Sequence, residues 1–165
     1  VSEAEGAKTK PEDVAFFQRT AAELGAALGP VLWQLPPSFR KDLPRLRDFL
    51  ALLPRGGRAA FEFRHDSWHG DDVLAALSDA RAALCIADDE ERATPVVATA
   101  GFGYLRLRRP DYDGAALARW RETVLAQRWD ETFVFFKHED EARGPELALA
   151  FGALAADAPA ERHAP

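Results

Sequence analysis

Five short apolar runs, each closed by turn residues and separated from the next mostly by a stretch with helical spacing, constrain this chain more than anything else in it. The runs span residues 31–35, 58–63, 83–87, 102–107 and 132–137. Each has strand length and is bounded by Gly, Pro or Asp. Between them, apolar residues recur three or four apart. Val14, Phe17, Ala21, Leu24 and Leu28 form one stripe, and Gly29-Pro30 stops it. Leu43, Leu46, Leu50 and Leu53 form a second, and Leu117, Trp120 and Val124 mark a later one. Pro11-Glu12-Asp13 resembles a helix start and Asp71-Asp72 a helix cap. The spacing predicts helices over 11–28, 43–53, 73–81, 115–126 and 145–155. The connection 90–100 shows no clear helix, with a short extended piece expected at Val96-Val97. Strands alternating with helices predict an α/β fold whose sheet is parallel and whose crossovers are helical.

The chain has 165 residues, of which 47% are apolar and 29% charged, the profile of one folded domain. Residues 1–12 and 157–165 are polar and without period, which predicts tails around a domain at 13–156. A net charge of −6 and a pI near 5.2 argue against a general nucleic-acid binder and against a partner for anionic membranes. No apolar run approaches the roughly 20 residues of a membrane span. No charged leader with an apolar core opens the chain, so the expected location is the cytoplasm. One cysteine, Cys85, excludes an internal disulfide and a multi-cysteine zinc site, and its apolar neighbours predict a buried core residue.

In parallel α/β folds, ligands bind at the carboxyl ends of the strands. Chemically capable residues crowd that edge here. Run one ends at Gln34. Run two offers Glu62, Arg64, His65, Asp66 and Trp68, and run three Asp88 and Asp89. Run four offers Arg106 and Arg108, and run five Lys137, His138, Glu139 and Asp140. The amino ends hold far less. Strand alternation puts Glu62 and Arg64 on one face and Phe61 and Phe63 on the other. By the same rule Tyr104, Arg106 and Arg108 share a face opposite Leu105 and Leu107. A buried acid needs a partner, so Glu62 is either half of a structural ion pair with arginine or part of a polar pocket.

In the pocket reading, Glu62 is the general acid or base. Arg64 and Arg106 hold anionic groups or tune Glu62, and Asp88 or His138 is the second catalytic group. Gln34, His65, Trp68 and Lys137 complete the ligand-binding set, Trp68 by stacking, with burial against the next helix as its alternative. His65 beside Asp66, and His138 beside Glu139 and Asp140, raise the option of a divalent metal, but neither has a diagnostic spacing such as His-Glu-x-x-His. No residue is therefore assigned as a metal ligand, and the cofactor stays undetermined.

Several strings together resemble one family. They are Gly29 to Pro37 (GPVLWQLPP), Phe61 to Trp68 (FEFRHDSW), Leu84 to Asp88 (LCIAD), and Tyr104 to Arg108 (YLRLR). In this order they are similar to the YecE-like proteins, the domain-of-unknown-function family seventy-two. Phe135 to Asp140 (FFKHED), followed by Gly144-Pro145, looks like one branch of that family, where many members instead carry asparagines and an aspartate. Any role for His138 is tied to that branch. The resemblance implies a parallel (β/α) barrel of TIM type. The five strands here would be the last five of eight strand–helix units, which fits a chain shorter than the ~250 residues of a full barrel. Such an incomplete barrel would leave open strand edges through which copies could self-associate.

Three functions follow from these residues. The first is an enzyme, or a binder, acting on a small polar or anionic ligand such as a sugar, sugar phosphate or nucleotide-derived metabolite. The second is metal-assisted phosphodiester or isomerase-type chemistry. The third is non-catalytic, with the Glu62–Arg64–Arg106 set purely structural.

Overall fold

The computed structural model describes residues 10–90, 93–109, 111–136 and 143–156. Five parallel strands lie side by side in chain order. They are β1 (Val31–Gln34), β2 (Ala59–Glu62), β3 (Ala83–Asp88), β4 (Phe102–Leu107) and β5 (Glu131–Phe136). The helices are α1 (Pro11–Ala22), α2 (Leu43–Ala51), α3 (Asp71–Asp79), α4 (Gly114–Leu125) and α5 (Arg143–Ala156). Each strand is the next neighbour of the one before it, so the sheet advances in one direction and stays open. Among the described residues, β1 and β5 each have one strand neighbour. No helix among them is long and apolar enough to cross a membrane.

The expected elements form, with local differences that have physical causes. The first helix was expected to run to Leu28. It stops at Ala22, because Gly25 takes a left-handed φ of 53° and a single tight turn, Gly25–Ala27, follows. Gly70, not Asp71, caps α3, and Asp71 and Asp72 fall in its first turn, where they still complement the helix dipole. Asp42 and Asp113 cap α2 and α4 by accepting from the N–H of Arg45 (3.1 Å) and Ala116 (2.7 Å). Val96-Val97 is not a strand.

In place of a helix, the β3–β4 connection uses one buried hydroxyl. Thr99 Oγ1 accepts from the Leu84 N–H and donates to the Ala82 carbonyl, both at 2.8 Å. It satisfies backbone groups at the start of β3 that would otherwise be buried without partners.

Alternation along the strands separates two faces. On the helix-covered face, Phe61, Phe63, Trp68 and Leu84 pack with Leu46, Leu50, Val73 and Leu77 of α2 and α3. Ile86, Leu105, Leu107 and Tyr112 pack with Leu117 of α4 and Leu147 and Phe151 of α5. Gly103 belongs to this face for a steric reason. A Cβ there would stand 2.6 Å from the Trp129 indole.

The other face carries Ala60, Ala83, Cys85, Phe102 and Tyr104, with Leu32 and Phe133 beside them. Small residues on the middle strands leave room for the larger ones on β1, β4 and β5 to lean inward. This face is concave. Arg106 of β4 hydrogen-bonds Gln34 of β1 at 3.0 Å, although three strand spacings amount to roughly 14 Å in a flat sheet. At the amino-terminal end Arg58, just before β2, pairs with Glu131 of β5 across the same span and lies over the Phe133 ring.

Thr99→Val keeps the shape of the side chain and removes both hydrogen bonds. It should lower unfolding free energy by about 1–3 kcal/mol, read as a shift of the urea midpoint with the m-value unchanged. No shift would mean that the β3–β4 connection is held by other contacts.

Candidate functional site

Parallel strands end on the same edge, and the concave face collects their last inward residues. β1 and β2 pair in register from Val31↔Ala59 to Gln34↔Glu62, and β3 and β4 from Cys85↔Tyr104 to Asp88↔Leu107. Gln34 and Glu62 thus stand level on adjacent strands, and Ala87 opposite Arg106 leaves the space into which that guanidinium extends.

Glu62 is the centre of the arrangement and is 1% exposed. Arg64 Nε donates to its Oε1 at 3.0 Å. Arg106 donates to Oε2, and Arg108 lies 3.7 Å from Oε1. Gln34 Oε1 accepts from both Arg64 and Arg106 at 3.0 Å and ties them together. The three arginine side chains keep between 18% and 27% of their surface exposed while Glu62 keeps almost none. The five side chains therefore set one buried negative charge among three positive ones that are only partly buried, a formal sum of +2.

Below this cluster the interior is apolar, and its ionisable groups stay neutral. Burial, then the Glu62 charge, pushes the Cys85 thiol far up. Burial likewise raises Tyr104.

The structure brings together four of the expected site residues: Gln34, Glu62, Arg64 and Arg106. It adds Arg108, which alternation had placed on this face. Asp88 points the other way. It is the outward neighbour of Ala87, and it accepts from Arg109 Nε and the Tyr112 hydroxyl, each at 2.8 Å. Burial and the hydrogen bond to Asp88 raise the Tyr112 hydroxyl far above its ordinary value. Asp88 holds the β4–α4 loop in place, away from Glu62. Asp89, the next residue, lies on the Glu62 side. Counting on from Cys85 and Ala87 by twos would have selected it.

Trp68 is also on the helix side. It is 1% exposed, donates its indole N–H to the Phe39 carbonyl at 2.8 Å and stacks on Phe63 with centroids 4.8 Å apart. Of its two sequence alternatives, burial is the one realised. His65 orders its own turn: Nδ1 accepts from the Ser67 N–H at 3.1 Å and lies 2.9 Å from Ser67 Oγ. Lys137 and His138 lie outside the described residues. Among those described, no group of three or more His, Cys, Asp or Glu side chains is placed to hold a metal.

An open, sequentially ordered parallel sheet with an arginine–carboxylate cluster at its carboxyl edge defines the class: an α/β protein with a polar centre at the strand ends. The chain belongs to the DUF72 family, described as a protein family of unknown function, whose model matches residues 1–165. No curated protein matches it. Two crystal structures of DUF72 family proteins share the fold. One, from Thermotoga maritima, has 23% identity and a TM-score of 0.75 over 89% of this chain and 66% of its own. The other, from Enterococcus faecalis, has 18% identity and a TM-score of 0.74 over 92% of this chain and 68% of its own. The chain thus spans about two thirds of the length of these relatives.

Glu62→Ala should cost about 3 kcal/mol, the low end for breaking a buried pair because the guanidiniums left behind keep some water. Denaturation at two salt concentrations checks it, since salt should recover part of the loss. A second expectation concerns alkaline pH. Below pH 9 the Cys85 thiol is protonated in both folded and unfolded chains and adds no pH dependence. Above its ordinary value of 9.0, the unfolded chain ionises while the folded one does not. Stability then falls by up to ~1.4 kcal/mol per pH unit for this one group. Comparing Cys85→Ala with the parent chain at pH 8 and pH 10 should show a shallower fall in the variant.

Proposed function

We propose that this protein binds a small anionic ligand, of the phosphate- or carboxylate-bearing class, at the carboxyl ends of β1, β2 and β4. One observation carries the reading: three guanidiniums converge on a single buried carboxylate. A structural ion pair needs one arginine, or two. The third positive charge, and the partial exposure of all three, suit an anion arriving from solvent. Arginine's planar fork matches phosphate and carboxylate oxygens.

In this reading Arg64, Arg106 and Arg108 contact the ligand, Gln34 fixes the angle between two of them, and Glu62 is the counter-ion that holds all three in place. Both Glu62 oxygens are taken by guanidinium donors, so its role is positioning. Tyr104 and Phe135, whose rings lie 5.0 Å apart, flank Arg106 and offer an apolar wall.

The same proposal includes a barrel of TIM type, of which the five strand–helix units form the last part. The concave inner face, the sequential strand order and the small inward residues on β2 and β3 support it. So does the third of each relative's chain that the match leaves uncovered, which is room for three more units. In a closed barrel the arginine cluster would sit at the rim where ligands bind.

Titration with inorganic phosphate, followed by the Nε resonances of the arginines, tests the site. Saturable shifts confined to Arg64, Arg106 and Arg108 are expected, weakening with added salt. Arg106→Gln should reduce affinity about tenfold or more, since a charge-assisted hydrogen bond is worth ~1.5–3 kcal/mol. If phosphate moves none of these resonances, the cluster is a structural ion-pair network and the binding reading fails.

A further inference from the structure

Beside the arginine cluster lies a partly open cavity of about 240 Å³, between the carboxyl ends of β2 and β3. Glu62 and Arg64 form the wall it shares with the cluster. Asp66, His69, Asp89 and Thr94 give the rest of its polar lining, and Phe63, Ala87 and Ala93 its apolar part. The Nε2 atom of His69 is buried and, among the described residues, has no hydrogen-bond partner. Such an atom costs free energy unless something occupies the space beside it.

The loop that carries His69 is not loosely placed. Trp68, the residue before it, is locked into the helix-side core through Phe39 and Phe63, and the His69 N–H donates to the Asp66 carbonyl at 3.0 Å. The backbone that carries the imidazole is therefore held beside the cavity by its neighbour's packing.

We infer that this cavity is a subsite for the uncharged, hydroxyl-bearing part of the ligand whose anionic group the arginines hold, with His69 Nε2 as a contacting atom. The inference rests on the anion-binding reading and extends it to a class: polyol or sugar phosphates and their carboxylate analogues. The chemistry of the lining selects that class. The carboxylates of Asp66 and Asp89 disfavour a second anionic group here and accept hydrogen bonds from hydroxyls. Burial lowers the His69 pKa, against the opposing pull of Asp66, and favours the neutral ring. A neutral ring presents one accepting and one donating nitrogen, as a hydroxyl requires.

The test titrates the full chain with inorganic phosphate, glycerol 3-phosphate, glucose 6-phosphate and phosphoethanolamine. A hydroxyl-bearing phosphate should bind about tenfold more tightly than inorganic phosphate, the worth of one well-made buried hydrogen bond. His69→Phe, which keeps the ring volume, should erase that advantage and leave inorganic phosphate unaffected. In the unsubstituted protein the His69 Nε2 resonance should move with the hydroxyl-bearing ligand and stay still with phosphate, a readout that does not depend on how the variant folds. Phosphate binding with no advantage for either hydroxyl-bearing ligand overturns the subsite and leaves the anion site standing. An advantage that survives His69→Phe, or tighter binding of the aminated phosphate than of the hydroxylated ones, overturns it too. If phosphate itself does not bind, the anion reading fails and the subsite falls with it.

Discussion

The arrangement depends on one buried carboxylate. Glu62 sits in the middle of a concave sheet face with almost no access to water, where a lone charge would be untenable. Its partners come from just past β2, from β4 and from just past β4, and β1 supplies the amide that binds two of them together. Arg106 can reach both Glu62 and Gln34 only if the sheet curls far enough to bring β1 and β4 within reach of one side chain. Sheet curvature and charge pairing are therefore one constraint. The curl is made sterically by alanines and a cysteine on the middle strands, and it is bridged at both ends, by Arg106 with Glu62 and Gln34 at the carboxyl edge and by the exposed pair Arg58 and Glu131 at the amino edge.

The opposite face has its own polar fastening, built on the same alternation. Asp88 leaves the sheet on the helix side and holds the β4–α4 loop through Arg109 and Tyr112. The Tyr112 carbonyl in turn accepts from Arg143 at the start of α5, at 3.2 Å. Adjacent residues Asp88 and Asp89 thus go to opposite sides of β3, one to brace the loops and one to the cavity wall. The β4–α4 loop is therefore placed by contacts on the helix side, separate from the charges on the inner edge.

Much of this was legible in the residues. Strand and helix order followed from apolar spacing, and the sharing of a face by Glu62, Arg64, Arg106 and Arg108 followed from the period of two. The resemblance drawn from the strings around Trp33, Glu62 and Tyr104 named the family that the full-length match shows. Four things were not legible. Asp88 stands at a strand end, but the period of two along β3 sends its side chain to the helix side. Trp68 has both an apolar body and a polar tip, and only the position of the Phe39 carbonyl decides that the tip is satisfied inside the core. His69 carries no local signal at all, since its setting is assembled from β2, β3 and the connection after β3. Thr99 is similar, a threonine in an irregular segment whose value appears only when the backbone of β3 is beside it.

The charge balance shapes how such a site must work. The chain as a whole is acidic, with a net charge of −6, while the cluster at the strand ends carries a formal +2. Long-range attraction cannot draw an anion toward a protein of the same sign, and beyond the ~8 Å over which salt screens charge at physiological ionic strength the ligand feels little of the arginines. Steering therefore contributes little to encounter. Affinity has to come from contact, from guanidinium forks already oriented by Glu62 and Gln34 before the ligand arrives. That places a premium on preorganisation and returns the weight to Glu62: it diminishes the site's net charge by one, yet without it three like charges would repel one another out of position.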